Sequence, residues 1–245
     1  MSTWIRSSIR SAESGKRAEY EELKVKPVDD RQPIPVPVRL AVILSIAFLH
    51  LSCYVLVNII SSRRPIEAFK NLEIALDRKV PYLAWTGVIY YFGDLFIVLF
   101  AALIIWNMQR ARFRRLAFVY AGMILAGAIT QLLIPGRAPW SENAAAFQKA
   151  FRGFLGLRPY ACFPSMHVAL SVFPALLSLS FSKSAGLKIL CIVCAVLIGI
   201  STLTFKEHYI LDVIAGSALA IIFYLILTMG IQKNGLRSGE PSRSD

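Results

Sequence analysis

Charge is scarce in this chain and uneven in sign: 17% of its 245 residues are charged, with 15 Asp and Glu against 27 Lys and Arg. A soluble domain carries nearer about 25%. With 56% hydrophobic residues and a mean hydropathy of +0.56, an ordinary soluble fold is excluded. Histidine is rarer still, limited to His50, His167 and His208, so any imidazole chemistry must draw on these three. The four cysteines, Cys53, Cys162, Cys191 and Cys194, imply no disulfide framework. Cys191 and Cys194 form a C-x-x-C, but it lies inside an apolar run with no second pair, as small packing residues do. No carboxylate cluster suggests a cation site, so neither metal nor other cofactor is implied. The net charge of +12 invites a nucleic-acid partner. The basic residues, however, fall between apolar blocks, without interleaved stacking aromatics or a binding motif. Juxtamembrane Lys and Arg beside anionic lipid explain them better.

What is abundant is long apolar runs, each about twenty residues, the length that crosses roughly 30 Å of hydrocarbon. Spans are expected at Val38–Ile60, within Pro81–Trp106, at Leu116–Pro135, Ser165–Phe181, Leu187–Phe205 and His208–Ile231. The fold class is an all-α integral membrane protein, a six-transmembrane-helix bundle over residues 38–231. Residues 1–37, ending in the proline-rich Pro33–Pro37, read as a disordered basic cytosolic tail, and 232–245 as a second tail. The first span lacks the short basic start and small-residue end of a signal peptide and should stay uncleaved. Ile66–Val80 mixes apolar and charged positions, as an interfacial helix does. Counting Lys and Arg gives 17 on one side and 10 on the other if both termini are inside. That bias, led by Arg110, Arg112, Arg114 and Arg115, predicts cytoplasmic termini in a plasma or inner membrane. The polar loop Gly136–Phe163 and the turn at Lys206 then share the extracytoplasmic face.

His167 and His208 both fall at outward-facing helix starts under this topology. A helix N-terminus offers unpaired N–H groups and partial positive charge, which favour a phosphate. Ser165, after Pro164, is placed as an N-cap whose hydroxyl can also donate to a phosphate oxygen. His208 and Asp212 are i,i+4 on one helix face. An intramembrane carboxylate needs a partner, and a His208–Asp212 pair would fix the imidazole tautomer, leaving Nε2 to attack phosphorus. His167 could protonate the departing alkoxide and later deprotonate an acceptor hydroxyl. Arg137, Ser201 and Lys206 are candidate phosphate contacts. For each, a bland role stays open: an interfacial arginine, a hydroxyl bonded to its own backbone, a solvated lysine. Asp94 is a second intramembrane carboxylate, equally readable as functional or as a structural hydrogen-bond partner. His50 reads as structural, Trp85, Tyr82, Tyr90 and Tyr91 as an interfacial belt, and Gly216 with Ala220 as a close helix contact.

These residues resemble the type 2 phosphatidic acid phosphatase superfamily, which includes vanadium haloperoxidases. Its pattern is Lys-x6-Arg-Pro, Pro-Ser-Gly-His and Ser-Arg-x5-His-x3-Asp. Here stand Arg137-Ala138-Pro139, Pro164-Ser165-Met166-His167, and Ser201-Thr202 followed by His208 and Asp212, over roughly residues 116–231. The resemblance implies a phosphohistidine on His208, His167 as acid and base, and Asp212 as orienter. Two cations of the pattern are absent: Thr130, beside Gln131, stands at the lysine's spacing, and Thr202 replaces the arginine. A site with fewer cations suits a phosphodiester, with one negative charge, better than a phosphomonoester with nearly two. The stretches Phe163–Ala169 and His208–Gly216 resemble the inositolphosphoryl-ceramide synthase and sphingomyelin synthase branch. That implies transfer of a phospho-head group from a phosphodiester lipid to a lipid hydroxyl, of ceramide or diacylglycerol type. The alternative is a phosphatase acting on phosphatidic acid or a polyprenyl pyrophosphate. Membrane lipids are the expected partners, and nucleic acid is not. Two other classes stay open: a haem protein with His167 and His208 as axial ligands, and a channel, transporter or scaffold.

Overall fold

The computed structural model of the chain describes residues 34–93, 110–140 and 162–237, with isolated positions between these stretches. Asp94, most of the 136–163 loop, residues 1–33 and residues 238–245 lie outside them. The described secondary structure is helical. α1 is Val36–Ser62, with a proline in its first turn, where the missing N–H costs nothing. α2 is helical over residues 86–93. α3 is Arg110–Leu133, α4 Met166–Phe181, α5 Ala185–Thr204 and α6 Ile210–Arg237.

α4 is the inner element. It packs against both α5 and α6, while α3 joins α1 to α6. Ten of its 16 residues are buried, among them Phe173 and Leu177, and Tyr120 of α3 meets Phe173 edge-on at 5.0 Å. α5 starts at Ser184, whose hydroxyl accepts from Leu187 N at 3.2 Å. α1 turns large apolar residues such as Leu44, Phe48 and Leu51 outward, as a lipid-facing helix does.

Six spans were expected. Among the described residues four helices are long and apolar enough to cross a membrane: Val36–Ser62, Arg112–Leu133, Ala185–Thr204 and Ile210–Gly230. α4 is shorter, about 24 Å at 1.5 Å per residue. Enclosed by its neighbours, it does not have to meet lipid along its whole length. The expected second span is described only in its first half. The chain is thus a multi-pass helical membrane protein.

The interfacial helix expected over Ile66–Val80 is a correction. Only two single turns of 3₁₀ helix form, Ile66–Ala68 and Asp77–Lys79. Between them the backbone is drawn into tertiary bonds: Lys70 N donates to Pro135 O at 2.9 Å and Arg137 N donates to Lys70 O at 3.1 Å. This extended strap lies against the loop before α4 and the turn before α6.

Gly216 sets how closely α4 and α6 approach. A Cβ there would sit 2.3 Å from the carbonyl oxygen of Ser165, which is backbone and cannot swing away. Gly216→Ala should therefore cost about 1–3 kcal/mol and lower the melting temperature in detergent. Gly199→Ala, where nothing lies within 4 Å, is the control and should melt at or above wild type. Equal melting of the two variants would contradict this account of the α4–α6 contact.

Candidate active site

The turn between α5 and α6 carries the first part of the site. Glu207 N and His208 N both donate to Thr202 O at 3.1 Å, which closes the end of α5. Lys206 takes φ 60°, a left-handed conformation uncommon for a residue with a Cβ. His208 is 7% exposed and Asp212 fully buried. His208 Nδ1 lies 3.3 Å from Asp212 Oδ2, and the same oxygen accepts from Tyr209 N at 2.9 Å. With Nδ1 as the donor, Nε2 of His208 keeps its lone pair.

Asp212 also joins the two helices, because its backbone carbonyl accepts from Ser165 N at 3.1 Å. That bond brings the start of α4, and with it His167, to the first turn of α6. The two imidazoles lie 6.2 Å apart between ring centroids, inclined at 61°. Gln131 Nε2 donates to Pro164 O at 3.2 Å and steadies the approach to α4 from α3. Ser165 holds the N-cap position, but its hydroxyl makes no cap bond. That hydroxyl and Asp212 Oδ1 are buried without a hydrogen-bond partner among the described residues.

Two cavities meet at His208. One, of about 90 Å³, is lined by all three histidines together with Tyr90, Gln131 and Met166. The other, of about 400 Å³, is polar and lined by Asn71, Glu73, Asp77, Arg137, Lys206 and Tyr209. His208, Ala138 and Trp140 belong to the walls of both, whereas His167 lines only the first. Among the described residues, no group of His, Cys, Asp and Glu could hold a metal ion.

The sequence matches the PAP2 superfamily over residues 68–226. The chain belongs to that superfamily. The crystal structure of Aquifex aeolicus LpxE is similar over 73% of this chain and 94% of that one, at 20% identity and a TM-score of 0.45. No curated protein sequence matches the chain. As a PAP2 protein it is an enzyme of the phosphatase and phosphotransferase kind.

The expected site residues fall into three groups. His167, His208, Asp212 and Ser165 come together at the α4–α6 junction. Arg137 is exposed and lines the larger cavity, its backbone fixed by Lys70. Ser201 and Lys206 turn to protein instead. Ser201, fully buried, donates to Ile198 O at 2.8 Å. The Lys206 ammonium donates to Asp77 O at 3.2 Å and Val80 O at 2.6 Å. Burial pushes that ammonium below its usual pKa, and the Asp77 and Glu73 carboxylates pull it back up. The hydroxyl of Thr202, in place of the family arginine, donates to Gly199 O at 2.8 Å. The hydroxyl of Thr130, in place of the lysine, donates to Ala126 O at 2.8 Å.

Other residues of the site carried no mark in the sequence. Tyr90, read as part of an interfacial belt, lies against His167 with ring centroids 4.4 Å apart and planes tilted by 32°. Trp140 Nε1 donates to Glu207 Oε2 at 3.0 Å and forms the wall common to both cavities. Asp77 is buried against the His208 turn. Their partners are 67 to 133 residues away, so no local pattern reveals them.

Asp212→Asn puts an amide where the His208 and Tyr209 N–H groups both need an acceptor. If Asp212 orients a nucleophilic His208, the change should lower kcat by about 100-fold or more with little change in KM. An Asp212→Asn enzyme with wild-type kcat would remove Asp212 from the machinery.

Proposed function

We propose that the chain is a lipid head-group transferase that works through a phosphohistidine on His208. It takes a phospho-head group from a phosphodiester lipid and delivers it to the hydroxyl of a second lipid, of ceramide or diacylglycerol type. The observation that carries this reading is the pair of cavities sharing His208. A phosphomonoesterase needs room beyond its nucleophile only for three phosphate oxygens. A phosphohistidine that still bears a head group needs a polar chamber beside it, and a cavity of about 400 Å³ is of that size. His167 lines only the other cavity, where an acid and base would serve both the departing and the arriving lipid oxygen.

In the first half-reaction His208 Nε2 donates its lone pair to phosphorus, and the P–N bond forms as the P–O bond to the donor lipid breaks. His167 gives its proton to that oxygen, releasing the donor as an alcohol. In the second, the acceptor hydroxyl attacks phosphorus, His167 takes its proton, and the P–N bond breaks to restore His208. Asp212 steadies the imidazole while it bears positive charge. The buried Ser165 hydroxyl, with no protein partner among the described residues, is free to donate to a phosphate oxygen. With Lys206 engaged by carbonyls and two family cations replaced by threonine, Arg137 suits the single charge of a diester. The charge bias between the expected spans supports an extracytoplasmic mouth.

Purified protein in mixed micelles decides the question. Phosphatidylinositol, phosphatidylethanolamine and phosphatidylcholine serve as donors, with a fluorescent short-chain ceramide or diacylglycerol as acceptor. Phosphate release from dioctanoyl phosphatidic acid is followed in parallel. The expected result is a labelled phospho-lipid product that is lost in His208→Ala and in His167→Ala. Phosphate release without any labelled transfer product makes the enzyme a phosphatase instead.

A further inference from the structure

We infer that residues 74–86, from the end of the strap to the start of α2, set the position of the nucleophilic imidazole, with Asp77 of that segment and Lys206 of the α5–α6 turn as the two positioning residues. His208 sits on a short turn between α5 and α6, so its ring is aimed only as well as both ends of that turn are held. Downstream, Ile210 N donates to Asp77 Oδ1 at 2.9 Å, and Asp77 Oδ2 accepts from Ile74 N at 2.8 Å. The carboxylate thus caps α6 from outside its own helix and ties it to the strap. Upstream, Lys206 is bent to φ 60°, and its ammonium reaches the carbonyls of Asp77 and Val80. Two further bonds close the frame, Leu83 N to Thr204 O at 2.9 Å and Thr204 Oγ1 to Thr86 Oγ1 at 3.0 Å.

Asp77 is 6% exposed, and each of its carboxylate oxygens already accepts a backbone N–H. It acts on substrate through His208. Lys206 lines the larger cavity, yet its ammonium holds the strap. The left-handed turn that strains any residue with a Cβ is one glycine adopts freely. Both Lys206→Gly and Lys206→Ala lose the ammonium's hold on the strap, but only glycine also relieves the left-handed turn.

The test uses Asp77→Asn, Lys206→Gly, Lys206→Ala and His208→Ala in the full chain. Each is assayed for kcat and KM with the probe that the wild type turns over, either dioctanoyl phosphatidic acid or the fluorescent acceptor with phospholipid donors. Melting in detergent is recorded for each. Asp77→Asn should lose about 10- to 100-fold in kcat with KM within about twofold and the protein still folded. Lys206→Gly should retain about tenfold more kcat than Lys206→Ala, at similar KM. Wild-type kcat in Asp77→Asn overturns the inference. So do equal losses in the two Lys206 variants with a raised KM, which would make the ammonium a phosphate contact. If Asp77→Asn does not fold, the Gly and Ala comparison at 206 decides. The inference rests on His208 as the nucleophile. An active His208→Ala would overturn that reading itself, whereas an inactive one beside an unchanged Asp77→Asn overturns the positioning alone.

Discussion

A fully buried carboxylate, Asp212, is the constraint on which the mouth of the bundle depends. An unpaired charge at such depth costs several kcal/mol, so the fold must bring partners to it. It does so with His208 Nδ1 and Tyr209 N on Oδ2, while the backbone carbonyl of the same residue takes Ser165 N. One residue thereby orients an imidazole, opens α6 and docks the start of α4. Gly216, one turn further on, removes the Cβ that would keep the two helices apart. Chemistry and helix packing are therefore not separable here.

The walls around His208 extend the same logic outward. On one side aromatic and apolar groups from α1, α2, α3 and α4 surround His167. On the other, the strap and the 134–140 loop supply a polar chamber. Trp140, held by Glu207, belongs to both. A phosphorus bonded to His208 would have lipid-compatible surface towards one cavity and head-group-compatible surface towards the other. The PAP2 scaffold fixes the histidines and leaves the walls to select what they act on.

What could be read from sequence alone was what is local. Apolar runs gave α1, α4 and α5 and the start of α6 to within two residues, because lipid leaves the backbone no alternative to the helix, while α6 continues past Ile231 to Arg237, into the expected tail. α3 starts at Arg110, six residues before its apolar run, because arginines can extend a helix while their heads reach the interface. The His208–Asp212 pair was legible because i,i+4 spacing is a property of the helix itself. The strap was not. Its charged and apolar positions fit an amphipathic helix, but its backbone bonds run to residues 135 and 137 and its Asp77 carboxylate to the amide of residue 210, outside any local window. The same applies to Lys206 and Tyr90, whose partners the sequence does not announce. Of the two roles open for Ser201, the backbone-bonded one is what the structure describes: its hydroxyl donates three residues back along its own helix.

The span of these contacts also bears on biosynthesis. Asp77 waits 133 residues for the amide of Ile210, and Ser165 waits for the carbonyl of Asp212. As the chain leaves the ribosome, His50, Tyr90, Arg137 and His167 all emerge before His208 does. The earlier helices can insert into the bilayer, but the cavities on either side of His208 are complete only when the segment from Lys206 to Gly216 arrives and docks.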